Sequence, residues 1–324
     1  MFDRHLPLGY HPERPERLVA ARAGLARAEV ATVSVEAREA SDDQLAAVHE
    51  PAYLERLARL AGERAFLDPD TFVGPDSVAA ARRAAGGACA LVDGILAGEI
   101  DRGFALVRPP GHHARPGAAM GFCLLNNVAV AAAHARARGV RRVAIVDWDV
   151  HHGNGTEEMF ASDPSVLYAS LHQWPFYPGT GAASEIGRGE GRGYTVNVPL
   201  TSGAGPGDYG AAFDRIVLPV LEAFAPDLLL VSAGFDAHSD DPLATMCLTA
   251  DAYGGFTRAL TSVCSRTVVV LEGGYDLRAI EASVEVVARA LSGAPGEGVV
   301  AAPARGHEAE IERARRHAGA TWRV

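Results

Sequence analysis

Short runs of apolar, often β-branched residues alternate along this chain with longer alanine-rich stretches. The runs Phe104–Val107, Arg142–Val146, Val166–Ser170, Thr195–Pro199, Leu228–Ser232 and Thr267–Leu271 read as strands. They are near-continuously apolar, as strands covered on both faces are. Between them, Ser77–Ala97, Asn126–Arg138, Pro206–Phe224, Ala250–Ser265 and Leu277–Leu291 read as helices. This alternation predicts a central, mainly parallel sheet between two helical layers, a three-layer α/β/α fold. Residues 292–307 are rich in Gly, Ala and Pro and read as a linker to a charged helix, Glu308–His317, within a terminal stretch 308–324. No other shift in composition marks a boundary, so residues 1–324 are expected to form a single domain.

In parallel α/β sheets, ligands bind beyond the carboxyl ends of the strands. Five polar clusters sit at that position here: RPPGHH, DWDVHHGNG, SLHQ, SAGFDAHSDD and LEGGYD each follow directly on an apolar run. Asp147, Asp149 and His151 recur at every second residue, the period that puts side chains on one side of a strand. Two carboxylates and an imidazole gathered there are costly without a cation. With one they become ligands, and the oxygen and nitrogen donors suit zinc or ferrous iron. The plain alternative is a capped strand end. Asp236 is the candidate ligand from a second strand end, whereas His238, Asp240 and Asp241 read as loop or capping residues. Such a set leaves a position open for water, as catalysis requires.

Pro109, Pro110 and Gly111 exclude a helix, so His112 and His113 are expected on a turn. One of them can serve as a general base and the other can hold charge nearby. Tyr275 follows two glycines that let the backbone turn sharply, where a phenol can donate to a developing oxyanion. Gly121-Phe122-Cys123 and the aromatic segment Trp174–Gly181 are packing loops or the walls of a narrow channel.

Composition narrows the chemistry. The net charge is −10 and all 30 basic residues are arginine, which excludes lysine Schiff-base chemistry. The acidic balance argues against a nucleic-acid footprint and favours cationic substrates. Cys89, Cys123, Cys247 and Cys264 lie far apart and read as buried free thiols. Neither a GxSxG elbow nor a phosphate-binding GxxxxGK[ST] loop occurs. The opening residues carry charge and proline where a signal peptide needs an apolar run, and no apolar stretch can span a bilayer. The expectation is a cytoplasmic protein that engages neither membrane nor nucleic acid.

Seven motifs in order, HPERPERL (11–18), RPPGHH (108–113), GFCLLNN (121–127), DWDVHHGNG (147–155), SLHQWPFYPGTG (170–181), GFDAHSDDPL (234–243) and EGGY (272–275), resemble the histone deacetylase and acetylpolyamine amidohydrolase branch of the arginase/deacetylase superfamily. The resemblance implies that fold and hydrolysis of N-acyl amines such as acetyl-lysine or acetylpolyamines. It implies zinc on Asp149, His151 and Asp236, with ferrous iron as the alternative native metal. His113 would be general base and then acid, and His112, oriented by Asp147, would support the transition state. Asn154 would orient His113 with an amide where some members use a carboxylate, and Tyr275 would help polarise the carbonyl. Phe122 and Tyr177 would flank the acyl tunnel, Gly121 would accept the substrate N–H, and Gly273 and Leu243 would contact substrate. Arg17 would line a product channel and Asp70 the rim. A structural potassium would sit among Asp147, Asp149, His151, Ser170 and Leu171. A second monovalent cation would sit among Phe160, Asp163, Val166 and Tyr194. The competing readings are an arginase-like ureohydrolase with two metals and a non-catalytic ligand-binding member of the fold. Sequence leaves open the substrate, the acyl preference and the oligomeric state, a homo-oligomer included.

Overall fold

A computed structural model of the chain describes residues 1–298 and 306–324. Its helices are α1 (Glu16–Arg27), α2 (Asp42–Ala46), α3 (Pro51–Ala58), α4 (Ser77–Leu96), α5 (Asn127–Ala137), α6 (Asn154–Phe160), α7 (Pro206–Ala212), α8 (Leu218–Phe224), α9 (Ala250–Val263), α10 (Leu277–Leu291) and α11 (Glu308–Ala318). A short antiparallel pair, β1 (Ala65–Phe66) and β2 (Phe72–Val73), forms its own sheet. The main sheet contains the six expected strands: β3 (Arg102–Ala105), β4 (Val143–Asp147), β5 (Val166–Gln173), β6 (Thr195–Leu200), β7 (Leu228–Ala233) and β8 (Thr267–Leu271). They are ordered β3-β8-β7-β4-β5-β6 and every pairing is parallel, so all six carboxyl ends lie along one edge.

The strands read as continuous apolar runs because both faces are covered. Within β4, Val143 and Ile145 belong to one core cluster and Ala144 and Val146 to the other. Helices α4 and α5 supply the first cluster, and α1, α9, α10 and α11 the second. This is the three-layer α/β/α architecture. Helix α11 packs along β6, the edge strand, covering backbone groups that an open edge would leave exposed. The linker-like stretch 292–307 falls partly outside the described residues. No described helix is long and apolar enough to cross a membrane.

Three expectations are corrected. The stretch Pro206–Phe224 is not one continuous α-helix: a π-helical turn over Phe213–Val217 separates α7 from α8. Pro219 explains the break, since it lacks an N–H for residue 215 and its ring would crowd that carbonyl. Cys247 is exposed, while Cys89, Cys123 and Cys264 are buried. It lies between buried Met246 and Leu248, so on an extended segment its side chain points the other way. The period-two grouping of Asp147 with Asp149 and His151 also fails, because β4 ends at Asp147 and the chain bends there.

Candidate functional site

Beyond β4 the backbone folds over its own carboxylates. Asp147 Oδ1 accepts the Asp149 N–H at 3.1 Å and Asp149 Oδ1 accepts the His151 N–H at 2.9 Å. Asp236, from the loop after β7, accepts the Val150 N–H at 2.9 Å. These turns bring one ligand atom each from Asp149, His151 and Asp236 within 4.8 Å of one another. His151 Nδ1 lies 3.1 Å from Asp149 Oδ1 and 3.2 Å from Asp236 Oδ2. Asp236 Oδ2 is buried without a hydrogen bond, and an orphaned buried carboxylate oxygen calls for a cation. Two carboxylates and one imidazole are a donor set that fits a divalent metal and leaves a position free. Asp147 points elsewhere, with Oδ2 accepting from the Tyr168 hydroxyl at 3.1 Å and lying 3.0 Å from His112 Nδ1.

The turn after β3 carries His112 and His113, their ring centroids 4.0 Å apart. His113 Nδ1 lies 2.8 Å from Asn154 Oδ1. An imidazole donating Nδ1–H to that amide oxygen presents its Nε2 lone pair to the cavity. Gly121 (φ +56°) leaves no room for a side chain, because a Cβ there would overlap the His113 ring. The next residue, Phe122, is also left-handed, at φ +68°, and its N–H is held by Thr71 Oγ1 at 3.1 Å.

A third strand end closes the site. After β8, Gly273 N donates to Asp149 Oδ2 at 2.8 Å, and a Cβ on Gly273 would overlap Asp236 and Asp149. Tyr275 follows, its N–H held by Asp241 Oδ2 at 2.6 Å. Asp276 then caps α10 by accepting from Arg278 N and Ala279 N at 2.9 and 2.8 Å. From behind, Arg17 donates to the carbonyls of Glu272 and Gly274, with its guanidinium 4.8 Å from the Tyr275 ring centroid. Arg17 and Arg108 share the fully buried carboxylate of Glu13.

These walls enclose a cavity of about 110 Å³ lined by His112, His113, His151 and Tyr275 and by Asp70, Gly121, Phe122, Tyr177, Leu243 and Gly273. Arg17 stands behind Tyr275 rather than on the wall. Ser170 sits beside Asp147 in the β4–β5 register, with its hydroxyl 2.9 Å from His172 Nδ1. Phe160, Asp163 and Tyr194 lie away from the cavity, and their carbonyls accept from Asp163 N, Val166 N and Tyr168 N respectively.

The two histidines differ electrostatically. Burial works against a charged His112, but Asp149 and Asp147 outweigh it and push the ring up to about 10. Burial, with His112 and His151 adjacent, holds His113 well below the usual imidazole range. The surroundings therefore favour a charged His112 and a neutral His113. His151, buried but bonded to Asp149 and close to the Asp236 carboxylate, is pushed up to about 9, a proton that a metal would replace. Burial raises Tyr275 well above the ordinary phenol value, so it stays a hydrogen-bond donor.

Several contributors, Thr71, Tyr168 and Glu13 among them, carry no chemical signal of their own in the sequence. The Glu272 carboxylate accepts the N–H groups of Gly111 and His112, a link across some 160 positions that no local pattern reveals, although Glu272 stands in the LEGGYD cluster. Pro110 both breaks any helix and lines the cavity.

Comparison with known proteins gives consistent matches. Residues 11–291 match the family model for the histone deacetylase domain. Histone deacetylase 15 of Arabidopsis thaliana is 47% identical over 87% of this chain and 53% of its own length. The polyamine deacetylase HDAC10 of Homo sapiens is 43% identical over 87% of this chain and 45% of its own. The chain thus spans about half the length of these relatives. A crystal structure of the HDA15 HD domain superposes with TM-score 0.92 at 43% identity, covering 98% of this chain and 90% of that one.

Proposed function

The chain belongs to the histone deacetylase family, and from that premise we propose that it is a zinc-dependent amidohydrolase that removes acetyl groups from N-acetylated amines. The observation that carries the reading is a cavity of about 110 Å³ lined by His112, His113 and Tyr275, which the Asp149–His151–Asp236 donor set reaches through His151. A volume of that size takes a thin chain ending in a small acyl group, such as acetyl-lysine or an acetylated diamine. It does not take a bulky ring system.

Asp149, His151 and Asp236 would hold the metal, and ferrous iron suits the same donors. When bound, it supplies Lewis acidity toward the acyl carbonyl and acidifies water. The chain's residues divide the remaining work. His113, kept neutral and aimed by Asn154, takes a proton from the attacking water at Nε2 and returns it to the leaving nitrogen. His112, cationic and fixed by Asp147, offsets negative charge as the tetrahedral species forms. Tyr275 donates its O–H to the oxyanion, a contact made fully only in the transition state. Phe122 and Tyr177 exclude water around the chain, Gly121 offers its carbonyl to the substrate N–H, and Leu243 and Gly273 complete the wall. Asp70, at the rim, attracts an ammonium or backbone N–H. Arg17 backs Tyr275 along a product path. Asp147, Asp149, His151, Ser170 and Leu171 would hold a structural potassium, and Phe160, Asp163, Val166 and Tyr194 a second monovalent cation. The catalytic unit is proposed to be one domain that acts in the cytoplasm.

The test is hydrolysis of a paired panel, an acetyl-lysine peptide against N-acetylputrescine and N-acetylcadaverine, by zinc-loaded protein with and without chelator. Chelator-sensitive turnover of either class supports the reading. Absence of turnover on all of them, with metal bound, overturns it.

A further inference from the structure

Glu272 is a fully buried carboxylate at the end of β8 that lines no part of the cavity. Its Oε2 accepts the N–H of Gly111 at 2.5 Å and of His112 at 3.1 Å, and the Ser232 hydroxyl stands 3.3 Å from Oε1. Among the described residues these are the carboxylate's hydrogen-bond donors, all three neutral groups, and the nearby charged ring of His112 offsets only part of the cost of burial. A buried carboxylate with no cation hydrogen-bonded to it costs several kcal/mol. An apolar side chain or a serine at this place would fill space at less cost, so the role of the long acceptor side chain lies in what it holds.

What it holds is a turn with few bonds of its own. Pro109 and Pro110 have no N–H groups, leaving the N–H groups of Gly111 and His112 as the donors on the approach to His113. Both go to one oxygen of Glu272. The carbonyl side of the turn is anchored separately, with Gly155 N and Thr156 N donating to His112 O at 3.1 and 3.2 Å. The residue after Glu272 donates its N–H to Asp149 Oδ2. One dipeptide, Glu272-Gly273, therefore ties the histidine turn and a member of the metal-donor set to the same strand end.

We propose that Glu272 is a positioning residue: it fixes the height of the His112–His113 turn relative to the Asp149–His151–Asp236 donors. The inference rests on the catalytic reading of those histidines. Displacements near 1 Å at a reacting group cost about 100-fold in rate, so the carboxylate acts through geometry and not through contact with substrate.

Three variants separate the alternatives. Glu272→Gln keeps an acceptor oxygen at the same reach, and its amide can donate to Ser232. Glu272→Asp keeps the charge but withdraws it by one methylene. Glu272→Ala removes both. The expected result is kcat within about threefold of the parent for Gln and a loss of roughly 10- to 100-fold for Asp and Ala. KM and zinc content should change little. Hydrogen exchange of the peptide spanning residues 108–114 supplies a readout independent of activity: it should speed up in Asp and Ala and stay slow in Gln. Parent-like kcat and exchange in Ala overturn the proposal, as does an active Asp beside an inactive Gln, which would assign the role to charge. If Ala does not fold, the Gln–Asp pair still decides. Failure of the parent itself to hydrolyse acyl amines would count against the catalytic reading, while the exchange data would still judge the anchor.

Discussion

His112 and His113 are neighbours in the chain with rings 4.0 Å apart, yet the first faces the Asp147 carboxylate at 3.0 Å and the second the Asn154 amide at 2.8 Å. On the proposed mechanism, the difference in partner divides the labour. A carboxylate stabilises an imidazolium, whereas an amide orients the ring without paying for its charge, leaving His113 free to accept a proton. Replacing the amide should therefore change pH dependence before it changes geometry. In Asn154→Asp the new carboxylate favours protonated His113. The acid limb of kcat/KM should move to higher pH, because the base must be neutral to act. A pH–rate profile checks this, and an unmoved acid limb would show that His113 is not the group titrating.

Tyr275 is placed by three independent holds: Asp241 on its N–H, Arg17 behind its ring, and Asp276 capping the helix that follows. So rigidly set a phenol implies a demanding geometric task. Tyr275→Phe should lower kcat by about 10²–10³, the cost of one oxyanion donor, with KM and bound metal little changed. Steady-state kinetics with metal analysis on the same sample tests it, and retention of parent kcat would remove Tyr275 from the mechanism.

His151 holds a proton up to about pH 9 in the metal-free site, and the metal must displace it. Zinc affinity should then rise about tenfold per pH unit below that value and level off above it. Competition titrations with a chromophoric chelator between pH 6 and 9 give the slope. A pH-independent affinity would contradict the donor assignment.

Stability of the metal-free protein should respond in the opposite sense. His112 is pushed up to about 10 from an unfolded value near 6.5. A raised folded pKa gives stability that is complete below about pH 6.5 and is lost as pH climbs through about 10. Melting temperatures of metal-free protein should fall over that interval, and the fall should shrink in His112→Asn.

Glu13 tests the support behind the site. Its carboxylate is shared by Arg108 and Arg17, all three fully buried. Glu13→Ala strands two guanidinium groups and should destabilise the fold by about 3–5 kcal/mol, measurable by denaturant unfolding. A loss below about 1 kcal/mol would mean that water reaches the pair.

The sheet was legible because doubly covered parallel strands leave unbroken apolar runs; Thr267–Leu271 is found with its expected ends. Three of the strand-end clusters were legible for the same reason, since DWDVHHGNG, SAGFDAHSDD and LEGGYD begin at the ends of β4, β7 and β8, whereas SLHQ lies inside β5 and RPPGHH starts beyond the end of β3. Helices α1 to α3 were not foreseen, because each buries only a few side chains, such as Leu45 in α2, and leaves a weak periodic signal. The role of Glu272 was hidden by distance along the chain. The position of Asp147 was hidden by a bend that side-chain alternation does not encode. Pro219 was visible in the sequence, but its π-helical consequence depends on the packing that keeps α7 and α8 in line.

The central claim is tested most directly by removing and restoring the metal. Protein stripped with chelator should release neither acetate nor free amine from an N-acetylated lysine peptide or diamine. One equivalent of zinc per chain should restore equimolar release of both, and Asp236→Asn should not recover. Turnover that persists without metal, or that needs two equivalents for activity, would contradict the account.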